Sequence, residues 1–373
     1  MNVASRAYPE DSTAHPVREN KSKKRTWRVM EPVLRLGDSV FSRINTSADF
    51  TRLLKDNLPD SDSLIVKADW VGIEEGSAMN LETLRCIVDA AQGRVIVTEG
   101  HLLHRSMELE PKGLKFIADG EEVDWDWLIN NNMGWRWLIR NPDWGWFIEG
   151  PHWKHIMKEE KHFLGKYGYL DFFKENGVEY VNATDEVWAG KVADERIVRE
   201  TVESRFPPVF TDKLYGIVPA RLFKYRGAPL ISQSKRKDYQ SFTMKNLFGL
   251  IPDPVRAWWH GGRTRQGTEA RLDKSILDMN KIYGALFEVV GVFEAPHSDG
   301  SNPFTRDVGI SAGIAQLDAI LSRVTGYEQE KTAYISSGNS MFGFFDNGLL
   351  KKAESQLSGW FPAPKEKAFF SKA

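Results

Sequence analysis

An α/β fold, a mainly parallel sheet flanked by helices, is what this chain of 373 residues predicts. Three observations carry that expectation. The runs 64–66 (Leu-Ile-Val) and 95–97 (Val-Ile-Val) are short, apolar and rich in β-branched residues, and one amphipathic helical segment separates them. That is the strand–helix–strand order of a parallel sheet. Each run exits into polar residues, Lys67 and Asp69 after the first, Glu99 and His101 after the second. Finally, a hydrophobic content of 41% and a charged content of 27% are ordinary for a globular domain, and the length suffices for a large core.

The elements follow in order. Residues 1–26 are polar and carry Pro9, Pro16 and the basic run 21–25, which predicts a disordered arm. A first α/β segment spans 27–120. It opens with a helix from a capping Ser47 to Asn57, with Phe50, Leu53 and Leu54 inward. The strand 64–66 follows, then a helix over 80–91 capped by Asn80, with Leu81, Leu84, Ile87 and Val88 inward and Gly93 as its stop. Residues 121–164 hold seven of the thirteen tryptophans and predict an insertion packed over the core. It is either a small satellite core or an aromatic platform for a ligand or partner. A second segment, 165–345, completes the same fold. Helices are expected over 165–176, 272–283 and 313–325, the last closed by Gly326. Strands are expected over 178–181, 214–218, 228–231 and 286–293. Residues 346–373 are expected to be a C-terminal tail.

Composition excludes several classes. A net charge of -1 offers no field for nucleic acid. No window approaches the roughly 18 apolar residues of a membrane span. The single cysteine, Cys86, excludes a disulfide framework and an iron–sulfur cluster held within one chain. It sits on the apolar side of the helix over 80–91 and predicts a small core residue. A cytoplasmic location fits this usage. No phosphate-binding loop, dinucleotide glycine fingerprint, nucleophile elbow or zinc-finger spacing is present.

The segment 243–252 (Thr-Met-Lys-Asn-Leu-Phe-Gly-Leu-Ile-Pro) sets Lys245 and Asn246 between apolar residues. Four blocks, this one the most specific, resemble Domain of Unknown Function 362. The first is 64–71, similar to a strand ending in Lys-Pro-Asn, here with Asp69 where that family favours Asn. The second, 228–252, contains the Lys-Asn-Leu-Phe-Gly motif. The third is 289–300 with its Asp299-Gly300 turn, and the fourth is a helix carrying an inward Asp318 and closed by Gly326-Tyr327. The resemblance covers roughly 45–330 and implies an α/β fold. Some members of that family carry an added iron–sulfur module. The family's Lys-x-Lys-Thr-His ahead of the Lys-Asn block is replaced here by 234–238 (Ser-Lys-Arg-Lys-Asp), without the histidine.

Three constellations are candidates for chemistry. Lys67, Asp69, Lys235, Lys245, Asn246, His260 and Arg263 would bind a carboxylate or phosphate if their loops converge, against the alternative of solvated basic loops. Glu99 and His101, with His104 nearby, suit general acid–base work at a strand end, and equally a capped turn. Asp318, on an apolar helix face, is a third catalytic candidate. It needs a partner such as Lys67 or Lys245, and an internal ion pair explains it equally. His152, His155, Glu159 and His162 form one stripe on a helix, either a site for a divalent metal or a wet face. Three functional classes therefore stay open: an enzyme for a small anionic molecule, a binding or assembly protein that self-associates through the Trp-rich insertion, and a metal protein.

Overall fold

The computed structural model describes residues 33–70, 78–102, 115–118, 121–124, 152–237, 241–253, 255–260, 271–296, 305–326 and 332–361. The chain begins with an antiparallel hairpin, β1 (Leu34–Leu36) and β2 (Ser39–Ile44). Gly37 takes φ +59° in the two-residue turn, a conformation that costs glycine little. Then come α1 (Ser47–Lys55), β3 (Ser63–Lys67), α2 (Leu81–Ala90) and β4 (Arg94–Glu99). A separate two-stranded ribbon, β5 (Lys115–Ala118) and β6 (Glu121–Asp124), precedes α3 (His152–Lys166), α4 (Tyr169–Asn176) and β7 (Glu179–Asn182). The second half runs α5 (Ala183–Trp188), α6 (Glu195–Glu203), a 3-10 turn over Asp212–Ile217, α7 (Ala220–Phe223) and β8 (Pro229–Lys235). It continues through α8 (Thr243–Phe248), α9 (Val255–His260), α10 (Arg271–Leu286), β9 (Glu288–Pro296), β10 (Arg306–Ser311), α11 (Ile314–Val324), α12 (Ala333–Gly338) and α13 (Asn347–Gln356).

Eight strands form one sheet in the order β1-β2-β10-β9-β8-β3-β4-β7. The run β9-β8-β3-β4-β7 is parallel, and the hairpin and β10 extend it antiparallel. The expected α/β sheet is therefore present, though mixed. The chain enters the parallel part at β3 and winds through β4 and β7 to one side. It then returns on the other side of β3 for β8 and β9. The direction reverses between β3 and β8, the point where such sheets place ligands outside the strands' carboxyl ends.

Side chains alternate across the strands, so the sheet has two cores. Ile65, Ile96, Leu230 and Phe293 pack with Met244 and Leu247 of α8, Ile276 and Met279 of α10, and Leu317 and Ile320 of α11. On the opposite face, Val66, Val97, Ile231 and Val292 meet Phe50 and Leu53 of α1, Leu84 and Ile87 of α2, and Phe172 of α4. Cys86 belongs to this second core, and burial pushes its thiol up.

Several expectations are corrected. Thr46 rather than Ser47 caps α1, accepting from the Asp49 amide at 3.1 Å. The helix expected over 165–176 is two helices that part at Gly168, whose φ is +76°. The strand expected over 214–218 is the 3-10 turn: Tyr215 is buried and bonds locally, donating to Glu203 and accepting from the Val209 amide. Strand β8 runs on to Lys235, four residues beyond the apolar stretch. The expected tail contains α13, whose Leu350 and Ala353, with Leu357 and Phe361 beyond, belong to the first core. The stretch 125–151, most of the Trp-rich insertion, lies outside the described residues, as does the arm. Among the described residues, no helix is long and apolar enough to cross a membrane.

Candidate functional site

At the β3–β8 reversal, the polar residues expected from strand position do converge, with two different outcomes. Lys67, at the end of β3, is fully buried. Its ammonium donates to Glu99 Oε1 at 2.7 Å, Asn246 Oδ1 at 3.0 Å and the Ala68 carbonyl at 2.6 Å. Three donors meet three acceptors, so Lys67 has none left for a ligand. Burial holds this ammonium below the usual lysine range, with the Glu99 charge opposing the shift. Glu99 is likewise engaged, since its carboxylate also accepts from the Gly100 and Trp70 amides at 2.9 and 3.1 Å.

Asn246 completes this knot. Its amide nitrogen donates to the Gln233 carbonyl at 2.6 Å, the Lys67 carbonyl at 3.2 Å and Ser232 Oγ at 3.3 Å. It thereby ties β3 to β8 just where their ladder stops at the Lys67–Ser232 pair. The glycines around it are steric requirements. A Cβ on Gly249 would lie 2.9 Å from Lys67 Nζ and 3.2 Å from Glu99 Oε1, and one on Gly100 would lie 2.3 Å from the Gly249 carbonyl oxygen.

The other sequence candidates divide as follows. Asp318 pairs with neither Lys67 nor Lys245 as expected. It caps α8, accepting from the Thr243 and Met244 amides at 3.0 and 2.8 Å and from Thr243 Oγ1 at 2.6 Å. Burial raises its pKa to about 7 despite those three bonds. Lys245 parts from its neighbour Asn246 and exerts its charge on Asp273 of α10, opposing the rise that burial causes there. His260 ends α9, its ring 6.1 Å from that of Phe248. Glu99 and His101 do not act together: His101 Nδ1 lies 2.7 Å from Glu160 Oε2, on α3. Glu160 also accepts from the Tyr180 hydroxyl at 2.7 Å, while Arg256 of α9 donates to the His101 carbonyl at 2.8 Å. The stripe His152, His155, Glu159 and His162 does lie on one helix, α3. The side chains of its first three members are outside the described residues, and His162 is exposed. Arg263, His104 and Asp299 also fall outside them.

Beside the knot lies a less satisfied group. Asp69 is buried at the end of β3. Its Oδ2 accepts from the Lys235 amide at 2.9 Å and from Ser234 Oγ at 3.4 Å, and pairs with the ammonium of Lys237. Its Oδ1, buried, has no hydrogen-bond partner among the described residues. On the opposite face of β8, Gln233 and Lys235 project together toward Glu294 of β9. The Gln233 amide nitrogen donates to Glu294 Oε1 at 2.7 Å, and its own oxygen is buried and without a partner among the described residues. Thr83 at 2.8 Å and Arg306 at 3.1 Å complete the shell of Glu294. The Lys235 ammonium reaches only to 4.0 Å from Glu294 Oε1, outside hydrogen-bond distance, although the residue is only 7% exposed.

Sequence reading missed Glu160, Gln233, Glu294, Arg256 and Arg306. For Gln233 and Glu294 a signal existed. Gln233 shares the alternation of β8 with Lys235, and Glu294 directly follows the apolar run of β9. No local pattern marks Glu160, which depends on α3 crossing the end of β4. Comparison with protein-family models, curated proteins and solved structures found no match for this chain.

Proposed function

We propose that this protein binds a small anionic molecule, a carboxylate or a phosphate, at the reversal between β3 and β8, with Lys235 as its direct contact. One observation carries the reading: a lysine nine-tenths buried at a strand's carboxyl end, 4.0 Å from Glu294 Oε1 and, among the described residues, with no acceptor at hydrogen-bond distance. A buried ammonium without hydrogen bonds is costly, and an incoming oxyanion removes that cost. Lys67, Glu99 and Asn246 form the rigid frame of these strand ends and not the ligand contacts, because their hydrogen-bonding capacity is spent on one another and on nearby backbone. The sequence blocks alone, above all 243–249, carry the reading of the chain as a divergent relative of Domain of Unknown Function 362 proteins.

A catalytic role is the second reading, and the His101–Glu160 pair favours it. A carboxylate on Nδ1 orients an imidazole and selects its tautomer, the arrangement that general acid–base chemistry uses.

Thermal unfolding with phosphate, malate and citrate, set against chloride at equal ionic strength, tests the binding reading. Ligand at ten times its Kd stabilises the folded state by about 1.4 kcal/mol. Lys235→Met is expected to abolish that shift, and Lys235→Arg to retain part of it. A Lys235→Met protein that keeps the full response would sink the assignment.

A further inference from the structure

We infer that Tyr180 is a positioning residue for His101: acting through Glu160, it keeps the proton of the neutral imidazole on Nδ1 and tunes the basicity of Nε2. This rests on the catalytic reading of the His101–Glu160 pair and names the residue that sets its ionisation. The chain of hydrogen bonds begins at α5. Asn182 caps that helix, its Oδ1 accepting from the Asp185 amide at 2.9 Å. The cap fixes which way the amide faces, so Asn182 presents Nδ2 to Tyr180, its neighbour on the same face of β7, and the hydroxyl oxygen lies 3.4 Å away. An amide nitrogen can only donate, so the Tyr180 oxygen accepts there and its one proton goes to Glu160 Oε1, at 2.7 Å. The Tyr180 ring is held for this role. It stacks on Phe173 with centroids 5.4 Å apart and leans on Trp70 at 6.1 Å.

A donated hydroxyl proton favours the ionised carboxylate, which accepts on both oxygens. Glu160 Oε2, 2.7 Å from His101 Nδ1, therefore meets an N–H. The main chain of His101 is anchored separately. Its amide donates to Thr184 Oγ1 at 2.9 Å, and its carbonyl accepts from Arg256 at 2.8 Å. Arg256 of α9 thus stands at the backbone side, Glu99 of β4 is turned to Lys67, and Glu160 of α3 is the charge on the ring. His101 and Glu160 are both buried, so water screens little of their coupling. Beside such a carboxylate alone, the imidazole would hold its second proton to higher pH. A bond to one carboxylate oxygen weakens what the other can accept, so the Tyr180 hydroxyl offsets part of that rise. It leaves the ring neutral nearer physiological pH, as a general base must be.

Nitrogen NMR of the full chain, labelled with 15N at histidine, tests the inference. In wild type, neutral His101 is expected to carry its proton on Nδ1. Tyr180→Phe keeps the ring and its stacking but removes the hydroxyl. The pH midpoint of His101 protonation is then expected to rise by about half a pH unit or more, a fraction of what a hydrogen bond to a charged group is worth. Asn182→Ser keeps a cap for α5 but removes the nitrogen that directs the hydroxyl proton to Glu160. It is expected to move the midpoint in the same direction, and it carries the test if Tyr180→Phe fails to fold. A proton on Nδ1 with a midpoint that stays put or falls in the folded variant would overturn the role of Tyr180 and leave the His101–Glu160 pair standing. A proton on Nε2 in neutral wild type would overturn the catalytic reading of the pair, and this inference with it.

Discussion

Asp318 offers the sharpest test of how this fold is held. Its carboxyl is wholly buried and its pKa is raised to about 7 from an ordinary value of 3.8, with burial as the dominant cause. A group whose folded pKa lies above its unfolded pKa contributes its full stability below the unfolded value. That stability drains away as pH rises through the folded value. Across the span from 3.8 to about 7, at about 1.4 kcal/mol per pH unit, the loss comes to roughly 4 kcal/mol. Asp318→Asn removes this titration. The amide oxygen can still serve Thr243, but the amide nitrogen opposes the Met244 N–H now bonded at 2.8 Å. That opposition costs about 1–3 kcal/mol at every pH. The two stability curves should therefore cross. Wild type is expected to be the more stable near pH 4, and Asp318→Asn to match or exceed it above about pH 7. Urea unfolding midpoints of both proteins across that range provide the assay. A gap that stays flat, or widens in favour of wild type as pH rises, would refute the reasoning. It would mean that two helix-terminal amides and a hydroxyl hold the carboxylate charged against the cost of burial.

Two further predictions concern the Lys67–Glu99 pair, whose side chains are 1% and 3% exposed. Lys67→Met and Glu99→Leu should each cost about 3–5 kcal/mol by stranding a buried charge, while the double variant should cost clearly less than their sum. Additive losses in urea unfolding would show that the two do not act as a unit. Gly249→Ala is permitted by its backbone, φ -60° and ψ -12°, yet its methyl would press on Lys67 Nζ at 2.9 Å. Overpacking of about 1–3 kcal/mol should outweigh the 0.4–1 kcal/mol, roughly, that a stiffer unfolded chain contributes. A higher melting temperature for this variant would contradict that balance.

Strand β8 illustrates where sequence reading succeeds and where it stops. Its apolar half was legible because a short strand buried on both faces leaves a continuous hydrophobic run. The half from Ser232 to Lys235 reads as loop, yet it is buried strand, because its polar groups find partners on other elements: Thr243 for Ser232, Glu294 for Gln233, Asp69 for Ser234. Hydrophobicity cannot report a residue buried by satisfaction rather than by apolarity. The same reason hid the role of Asp318. An acid on an apolar helix face announces a buried partner, but not whether that partner is an ammonium or the amide end of another helix. The 3-10 turn over Asp212–Ile217 was misread for the opposite reason, since its apolar run resembles a strand and only packing decides between them.

By itself, the sequence determined the α/β class, the helices near 47–57, 80–91, 272–283 and 313–325, the apolar strands near 64–66, 95–97, 178–181, 228–231 and 286–293, and the fact that Lys67, Asp69, Glu99 and His101 stand at strand exits. All of these follow from local periodicity and chain order. Only the tertiary structure decided what those residues became. Hydrogen-bond capacity is finite, and which group exhausts it depends on neighbours that the fold delivers from distant elements, as Asn246 to Lys67 across 179 positions. Lys67, Glu99 and Asn246 spend theirs on each other and hold the frame. At the carboxyl end of β8, Lys235 and Gln233 on one face and Asp69 on the other keep some in reserve among the described residues.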